Sequence, residues 1–527
     1  MAACGSLFVG RWSHSLDLRH FGSGRVPRSK YSEAVIMDLV LSTGLWSELQ
    51  RHLFGEKRLA FAGQDEQMAF ILASYSVAGE TRKLLAHELI TAGPRDLSSQ
   101  SPGGIGPTGE FVAQMLTRCR RDGWSLIEVH SHPFDSSSRT TFSGIDWAND
   151  RIKMPQLAAM LPDPFYHATM VVGRNSLDAH YYDQGSGTIL PVGRVTLVGG
   201  DEGPGAPLRH LAVSSSPQEP VAITDGRRSR QLPLVGQEAQ DAFPKATVAV
   251  VGLGGLGSFA ALQLAYLGVG HLVLIDADEV DESNLNRLLG AGPADVGRPK
   301  VEVLAEQVNR VAPDIKVTAI PEDVLTARAL EHAKVADLVL GCVDNHGARL
   351  TLNHLAIRYL IPLLDAGTGA RLASDGRPTQ LGGQVQLVAP GRGCLECRGF
   401  IDPTRAAFDL ATPEVQQYER DHGYGTKEIA PAVIFLNGVV ASIQVAEVAR
   451  LLGSQGSQAS LIVYDAIAQR TFPVTTRPEP SCPTCGEDGV IGVGDLSPLH
   501  RAEAQTDESL PTRSQVVGAG SAGTDSN

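Results

Sequence analysis

The chain has 527 residues, 43% of them hydrophobic and 20% charged, which is enough for two or three domains with sizeable cores. Acids outnumber Lys and Arg by 58 to 45, for a formal net charge of -13; a general nucleic-acid binder carries the opposite balance, so no nucleic-acid partner is expected. No apolar run long enough to span a bilayer is read, so no membrane partner is expected. Seven cysteines in a chain of this length do not form a disulfide framework and favour a reducing, cytoplasmic location.

Residues 1–30 carry Arg11, Arg19, Arg25, Arg28 and Lys30 against one acid, Asp17. That balance is shared with transit peptides, but the plainer reading is an N-terminal extension. A helix is predicted over 34–49. The run 58–79 reads as a strand-rich hairpin, with Glu66 just ahead of the apolar residues 69–73. Another strand is expected at 87–91, a Gly/Ser/Pro-rich loop over 97–109, a helix over 109–121 and a strand over 123–129.

The segment EVHSHPFDSSSRTTFSGIDWAND follows, beginning at Glu128. His130 and His132 are two residues apart on an extended chain, so both imidazoles point to one side and can reach one metal. Asp146, one short loop later, supplies a hard oxygen ligand, and a His/His/Asp set leaves a fourth position open, the arrangement of a catalytic rather than a structural zinc. With an upstream Glu, H-S-H-P and S-x-x-D, the segment resembles the JAMM/MPN (JAB) metalloprotease motif. The resemblance implies an α/β/α protease domain over 31–198 in which His130, His132 and Asp146 bind Zn2+. It also implies that Ser143 helps hold the oxyanion and that Glu66 is the general base. The loop between His132 and Ser143 is about three residues longer than the family spacing, an insertion with little closure-entropy cost. Strands at 170–172 and 177–182 would complete this domain, and the Gly/Pro/Ser-rich stretch 199–226 reads as a linker.

The largest unit is organised around ATVAVVGLGGLGSFAALQLAYLGVGHLVLID, residues 246–276. A β-branched run enters a turn carrying Gly252, Gly254, Gly255 and Gly257, a helical pattern follows, and a second strand ends at Asp276. The glycines let backbone approach a phosphate, the helix N-terminus offers unpaired N–H groups, and the acid can bond a ribose hydroxyl. Alone, this Rossmann-like turn would suggest NAD. Further on stand S-N-L-N-R with Asn284 and Arg287, then Lys300, then Asp344 and Asn345. Together they resemble the ubiquitin-activating family in its ThiF/MoeB/HesA form.

That resemblance implies an α/β chain overall, with a ThiF-type adenylating domain over 227–489 that binds ATP and Mg2+. Its substrate would be the C-terminal glycine of a ubiquitin-like or sulfur-carrier protein ending in Gly-Gly. Arg287, Lys300 and Arg230 would stabilise charge developing on the phosphates, Asp344 would hold Mg2+, and Arg230 would reach the neighbouring protomer of a homodimer. The pairs Cys394/Cys397 and Cys482/Cys485 can close one tetrahedral thiolate site, a structural zinc that the family has at these places. Residues 349–360 and 429–452 read as helices, and 383–387 and 461–465 as strands. The stretch 400–428 is charged and irregular and contains no cysteine to carry a thioester. The tail 490–527 reads as disordered. Two catalytic domains imply consecutive trimming and adenylation of one substrate, with a sulfurtransferase or a conjugating enzyme downstream. Sulfur-carrier activation for cofactor or cysteine biosynthesis, rather than protein tagging, is one alternative, and a scaffold with one inactive domain is another, from a different class.

Overall fold

The computed structural model describes residues 37–55, 65–161, 164–200, 207–216, 226–421, 432–453 and 459–499. The expected extension over 1–30 and the tail from 500 onward lie outside the described residues.

The N-terminal half is built on one sheet. Its strands are β1 (Met37–Ser42), β2 (Met68–Ala78), β3 (Thr81–Thr91), β6 (Ser125–Ser131), β7 (His167–Val172), β8 (Leu177–Asp183), β9 (Thr188–Pro191), β10 (Val195–Val198) and β11 (Leu208–Leu211), while β4 (Leu97–Ser101) and β5 (Gly104–Pro107) form a separate ribbon. The order across the nine-stranded sheet is β11-β10-β1-β3-β2-β6-β7-β8-β9. Successive side chains alternate between its faces. Leu39, Ile71, Ile127 and Met170 pack on one face with Trp46 and Leu49 of α1 (Thr43–Phe54). Met68, Phe70 and Leu126 lie on the other with Phe111 and Met115 of α2 (Gly109–Asp122) and Leu157 of α3 (Gly144–Met160).

Several expectations change here. The helix expected over 34–49 starts instead as β1, an inner strand paired with β3 and β10, and turns helical only after Ser42, whose side chain accepts the N–H of Leu45. A short apolar run has no period that separates a buried strand from a helix. The loop expected over 97–109 contains the β4–β5 ribbon, and β11, inside the expected linker, pairs antiparallel with β10.

The C-terminal half begins with α4 (Leu232–Ala242) and continues through β12 (Thr247–Val251), α5 (Gly255–Leu267), β13 (His271–Ile275), α6 (Lys300–Val311), β14 (Lys316–Ile320), α7 (Ala327–Lys334), β15 (Leu338–Gly341) and α8 (His346–Arg358). Then come β16 (Leu363–Leu372), β17 (Pro378–Val388), α9 (Pro403–Asp409), α10 (Pro413–Asp421), α11 (Ile434–Leu452), β18 (Leu461–Asp465) and β19 (Arg470–Val474). The sheet order is β14-β13-β12-β15-β16-β17-β18-β19, parallel from β14 to β16 and antiparallel beyond. The chain moves outward from β12 to β14 and returns to the other side of β12 at β15, so a crevice opens between the ends of β12 and β15, where ligands bind in such sheets.

The stretch expected to be irregular over 400–428 holds α9 and α10, and its residues from 422 lie outside the described part. The helix α11 is long and apolar enough, by length and composition, to cross a membrane. Its Leu436, Val440, Val445, Val448 and Leu451 are buried within this half, which accounts for the apolar content.

The halves meet along a polar seam. Arg194 bridges Asp38 (2.9 Å) and Asp337 (2.5 Å), and Lys83 donates to the carbonyls of Lys334 (3.0 Å) and Ala336 (3.3 Å). Residues 490–499, expected to be disordered, run across this seam. Ser74 and His87 bond the carbonyls of Gly492 and Ile491, while Asp495 accepts from Val77 N–H, Lys334 and Tyr359.

Candidate functional sites

The end of β6 carries the first site. Alternation puts His130 and His132 on one side of the extended chain, and α3 brings Asp146 opposite them. The His130 Nε2–Asp146 Oδ1 and His132 Nε2–Asp146 Oδ2 separations are both 3.6 Å. That is too long for a good hydrogen bond, and His130 Nε2 is buried without a hydrogen-bond partner. Three ligand atoms around a tetrahedral ion at zinc bond lengths stand about 3.4 Å apart, so the spacing and the orphaned nitrogen fit a zinc ion. Glu66 is 4% exposed, with Oε1 3.9 Å from His132 Nε2. Its backbone is held by the β4–β5 ribbon, since its N–H donates to Ser101 O and its carbonyl accepts from the Gln100 amide. Burial pushes the Glu66 carboxyl above its ordinary range. Burial would also raise Asp146, but His130 and His132, with Ser143, hold it below the usual carboxylate range.

Ser143 stands at the N-cap of α3 in a capping box. Its Oγ accepts the Asp146 N–H and its own N–H donates to Asp146 Oδ2 (2.7 Å). Its immediate work in the structure is therefore to aim Asp146, and its hydroxyl proton is left to donate elsewhere. The long loop before it is pinned. Arg174 bonds the carbonyls of Pro133 and Asp135, Asn175 that of Ser136, and Ser176 that of Ser137.

The second site lies in the crevice between β12 and β15. Gly252 has φ +84°, and a Cβ there would lie 2.7 Å from the carbonyl oxygen of Cys342; a Cβ on Gly257 would lie 1.9 Å from that of Gly252. Only glycine allows this close turn. Gly254, the N-cap of α5, has open space where a Cβ would be, and no side chain caps the helix that starts at Gly255. These free N–H groups suit an anion. Asp276, at the end of β13, accepts from Leu253 N–H (2.5 Å) and Asp278 N–H (2.8 Å), and burial raises its carboxyl.

Lys300 is buried at the start of α6, 2.6 Å from Asp278 and 4.0 Å from Asp276. Arg287 is tied to Ser283 O (2.7 Å) and its side chain passes beside Gly255. Asn284 closes the preceding turn by accepting Asp281 N–H. Asp344 is exposed beyond β15, and Asn345 caps α8 by accepting Ala348 N–H (2.7 Å). Contacts thus link Gly257 with Gly252, Leu253 with Asp276, Asp276 with Lys300 and Gly255 with Arg287, while Gly254, Asn284, Asp344 and Asn345 stand on adjoining turns and caps. Arg230 is exposed on the turn before α4. Sequence reasoning missed Asp278, which fixes Lys300, and Gln100, which fixes Glu66. Asp278 had a signal in the alternating acids of D-A-D after β13; Gln100, in an apparent loop, had none.

The third site joins residues 88 positions apart. Cys394 Sγ is 3.9 Å from that of Cys397 and 3.7 Å from that of Cys482, and Cys397 Sγ is 3.3 Å from that of Cys485. Tetrahedral zinc–thiolate bonds place sulfurs about 3.8 Å apart, so four thiols fit one zinc. Cys394 is pushed down to about 5, first by the Cys485 thiol beside it. Cys342 is distant in character: burial pushes it up to about 12.

A family model described as the ThiF family matches residues 227–484. The sulfur carrier protein ThiS adenylyltransferase of Escherichia coli (strain K12) is 32% identical over 266 residues, which are 49% of this chain and 94% of that protein. The SAMP-activating enzyme E1 of Haloferax volcanii is 32% identical over 265 residues, 50% of this chain and 88% of that protein. A crystal structure of E. coli MccB with MccA-N7isoASN is 24% identical, covers 50% of this chain and 76% of that one, and has a TM-score of 0.41. The family match begins after the histidine site.

Proposed function

The chain belongs to the ThiF family, and from that premise we propose that it adenylates the C-terminal glycine of a ubiquitin-like or sulfur-carrier protein ending in Gly-Gly, after or alongside zinc-dependent trimming of the same protein by its N-terminal half. The observation that carries the adenylating part is the glycine turn before α5, packed on Cys342 two residues ahead of the exposed Asp344 and linked through Asp276 to the buried Lys300.

ATP would lie with its phosphates at the N-terminus of α5 and its ribose toward Asp276. The glycine carboxylate attacks the α-phosphorus, and pyrophosphate leaves with the bond to the β-phosphate broken. Lys300 and Arg287 would stabilise the charge that develops on the phosphates, and Asp344 would hold Mg2+. Arg230 would act on the nucleotide of a second copy, making the active unit a homodimer. The exposed Leu234 (85%) and Tyr266 (65%) line one groove with Val235, Val445 and Ala449, an apolar area suited to that pairing.

In the N-terminal half, zinc held by His130, His132 and Asp146 would supply Lewis-acid activation. Glu66 would take the proton of the attacking water and pass it to the leaving amine, while the Ser143 hydroxyl donates to the oxyanion. The sequence 400–428 contains no cysteine, so the acyl group would pass from the adenylate to another protein, either a sulfurtransferase or a conjugating enzyme. The two catalytic halves would act in the cytoplasm.

The test combines purified protein, ATP, Mg2+ and a Gly-Gly protein with a short C-terminal extension, read by intact-mass spectrometry. Trimming lost only in His132→Ala, with adenylate from the trimmed protein lost only in Asp344→Ala, is the expected result. Adenylate formation without any trimming would reject the protease half alone; no adenylate with any such protein would reject the proposal's core.

A further inference from the structure

The helix that carries Asp146 is seated in an unusual way. Surface helices bury an apolar stripe, but α3 buries Asp150, Met154 and Leu157 and exposes Ile145 (65%) and Ile152 (53%). Beneath it the sheet offers polar side chains. Glu128, Thr169 and His180 stand side by side on β6, β7 and β8 by strand register. Asp150, one helical turn after Asp146 and 2% exposed, accepts from His180 Nε2 (2.7 Å) and Lys153 Nζ (2.9 Å). Lys153 in turn reaches Glu128 (2.8 Å), two residues before His130 on the same face of β6. The His180 ring lies against Phe142 (4.1 Å) and Trp147 (4.6 Å), so it is flanked by the residues on either side of the Ser143–Asp146 capping box.

We propose that Asp150, clamped by His180 and Lys153, is a positioning residue that sets the rotation of α3 and thereby aims the Asp146 carboxylate at His130 and His132. Apolar packing would hold a helix on a sheet yet let it slide or turn by a fraction of a residue. Directional charge-assisted bonds do not. The residues i and i+4 lie on one face, so fixing Asp150 on the sheet fixes Asp146 one turn away. The arrangement also retains cost that a purely apolar seat would avoid, since His180 Nδ1 and Thr169 Oγ1 are buried without a hydrogen-bond partner. The clamp acts on geometry and touches neither substrate nor metal.

This inference rests on the metal-site reading of His130, His132 and Asp146, and its test separates the two. Full-length protein, Asp150→Asn and His180→Leu are titrated with zinc in competition with a chromophoric chelator. Cobalt-substituted samples give visible spectra, and thermal midpoints are recorded without added metal. The expected result is two zinc ions per chain in the parent, and a second, weaker zinc lost from the variants at about tenfold or greater excess of free-metal demand, with a changed cobalt ligand-field spectrum. Unchanged metal affinity and spectrum in both variants, whatever their melting points, would overturn the clamp. A parent that binds one zinc, insensitive to His132→Ala, would overturn the metal reading itself. Should Asp150→Asn not fold, His180→Leu, which removes the donor toward Asp150 while keeping an apolar side chain between Phe142 and Trp147, carries the same comparison.

Discussion

The Arg194 guanidinium and the Asp337 carboxylate meet at 2.5 Å across the seam between the two sheets, with Asp38 on the other side of the guanidinium and Thr247 N–H on the other oxygen of Asp337. Burial would raise the Asp337 carboxyl, but Arg194 and Lys83 outweigh it and hold it below the usual range. Asp337→Ala removes one of the two carboxylates that hold Arg194 and leaves the guanidinium, beside Lys83, with Asp38 alone. A loss of about 2–3 kcal/mol is expected, at the lower end for breaking a buried pair because Arg194 is partly solvated. Denaturant unfolding should show it, with the two halves separating into distinct transitions.

A second prediction concerns pH. Asp365, at 1% exposure on β16, has its carboxyl pushed up to about 6 by burial, with Arg349 pulling the other way. Its folded-state value lies above its unfolded one, so the stability it contributes is fully present below about 3.8 and is lost as pH rises through about 6. Asp365→Asn should therefore gain stability relative to the parent as pH rises from 4 to 7, by about 2–3 kcal/mol, with little further change above. A flat difference across thermal melts at those pH values would contradict this.

The thiol site and the seam are expected to be coupled. Cys482 and Cys485 stand just before the segment that carries Ile491, Gly492 and Asp495 across to Ser74, His87 and Val77. Cys397→Ser should lower zinc content by one ion per chain and speed amide hydrogen exchange over 491–497 by at least tenfold, about 1.4 kcal/mol of local opening. Exchange elsewhere in β2 and β3 should change less.

Pairing of two copies can be tested apart from chemistry. Leu234, 85% exposed, borders a groove of about 560 Å³ with Tyr266, Val445 and Arg450. Leu234→Glu should shift light-scattering mass toward the monomer and reduce ATP–pyrophosphate exchange several-fold, while the folding free energy of the subunit changes by no more than about 0.5 kcal/mol. Exchange at full rate in a monomer would show that Arg230 serves no second copy.

Legibility in the sequence followed the range of the interactions. The alternation of His130 and His132, the glycine turn and the two cysteine pairs are local patterns, and the structure brings each set together. Strand β1 was hidden because its partners, β3 and β10, lie far along the chain and its apolar run has no turn signal before the helix. Strand β11 was hidden by the Gly/Pro/Ser composition around it. The segment after Cys485 reads as polar because it is held through carbonyls and one aspartate rather than through apolar side chains. The clamp on α3 depends on residues from β6, β8 and the helix itself, and no spacing within one stretch announces it.

The last described stretch of the chain, by returning to β2 and β3, closes a circuit. The two halves are joined once by covalent bonds through 199–226, and again by the contacts of Gly200 with Pro390 and Arg392, of Lys83 with Lys334, and of Asp495 with Val77. A single cut between the halves would therefore yield two polypeptides that still travel as one particle. The order of the histidine cluster and the glycine turn along the chain is in this sense incidental to their being held on one particle.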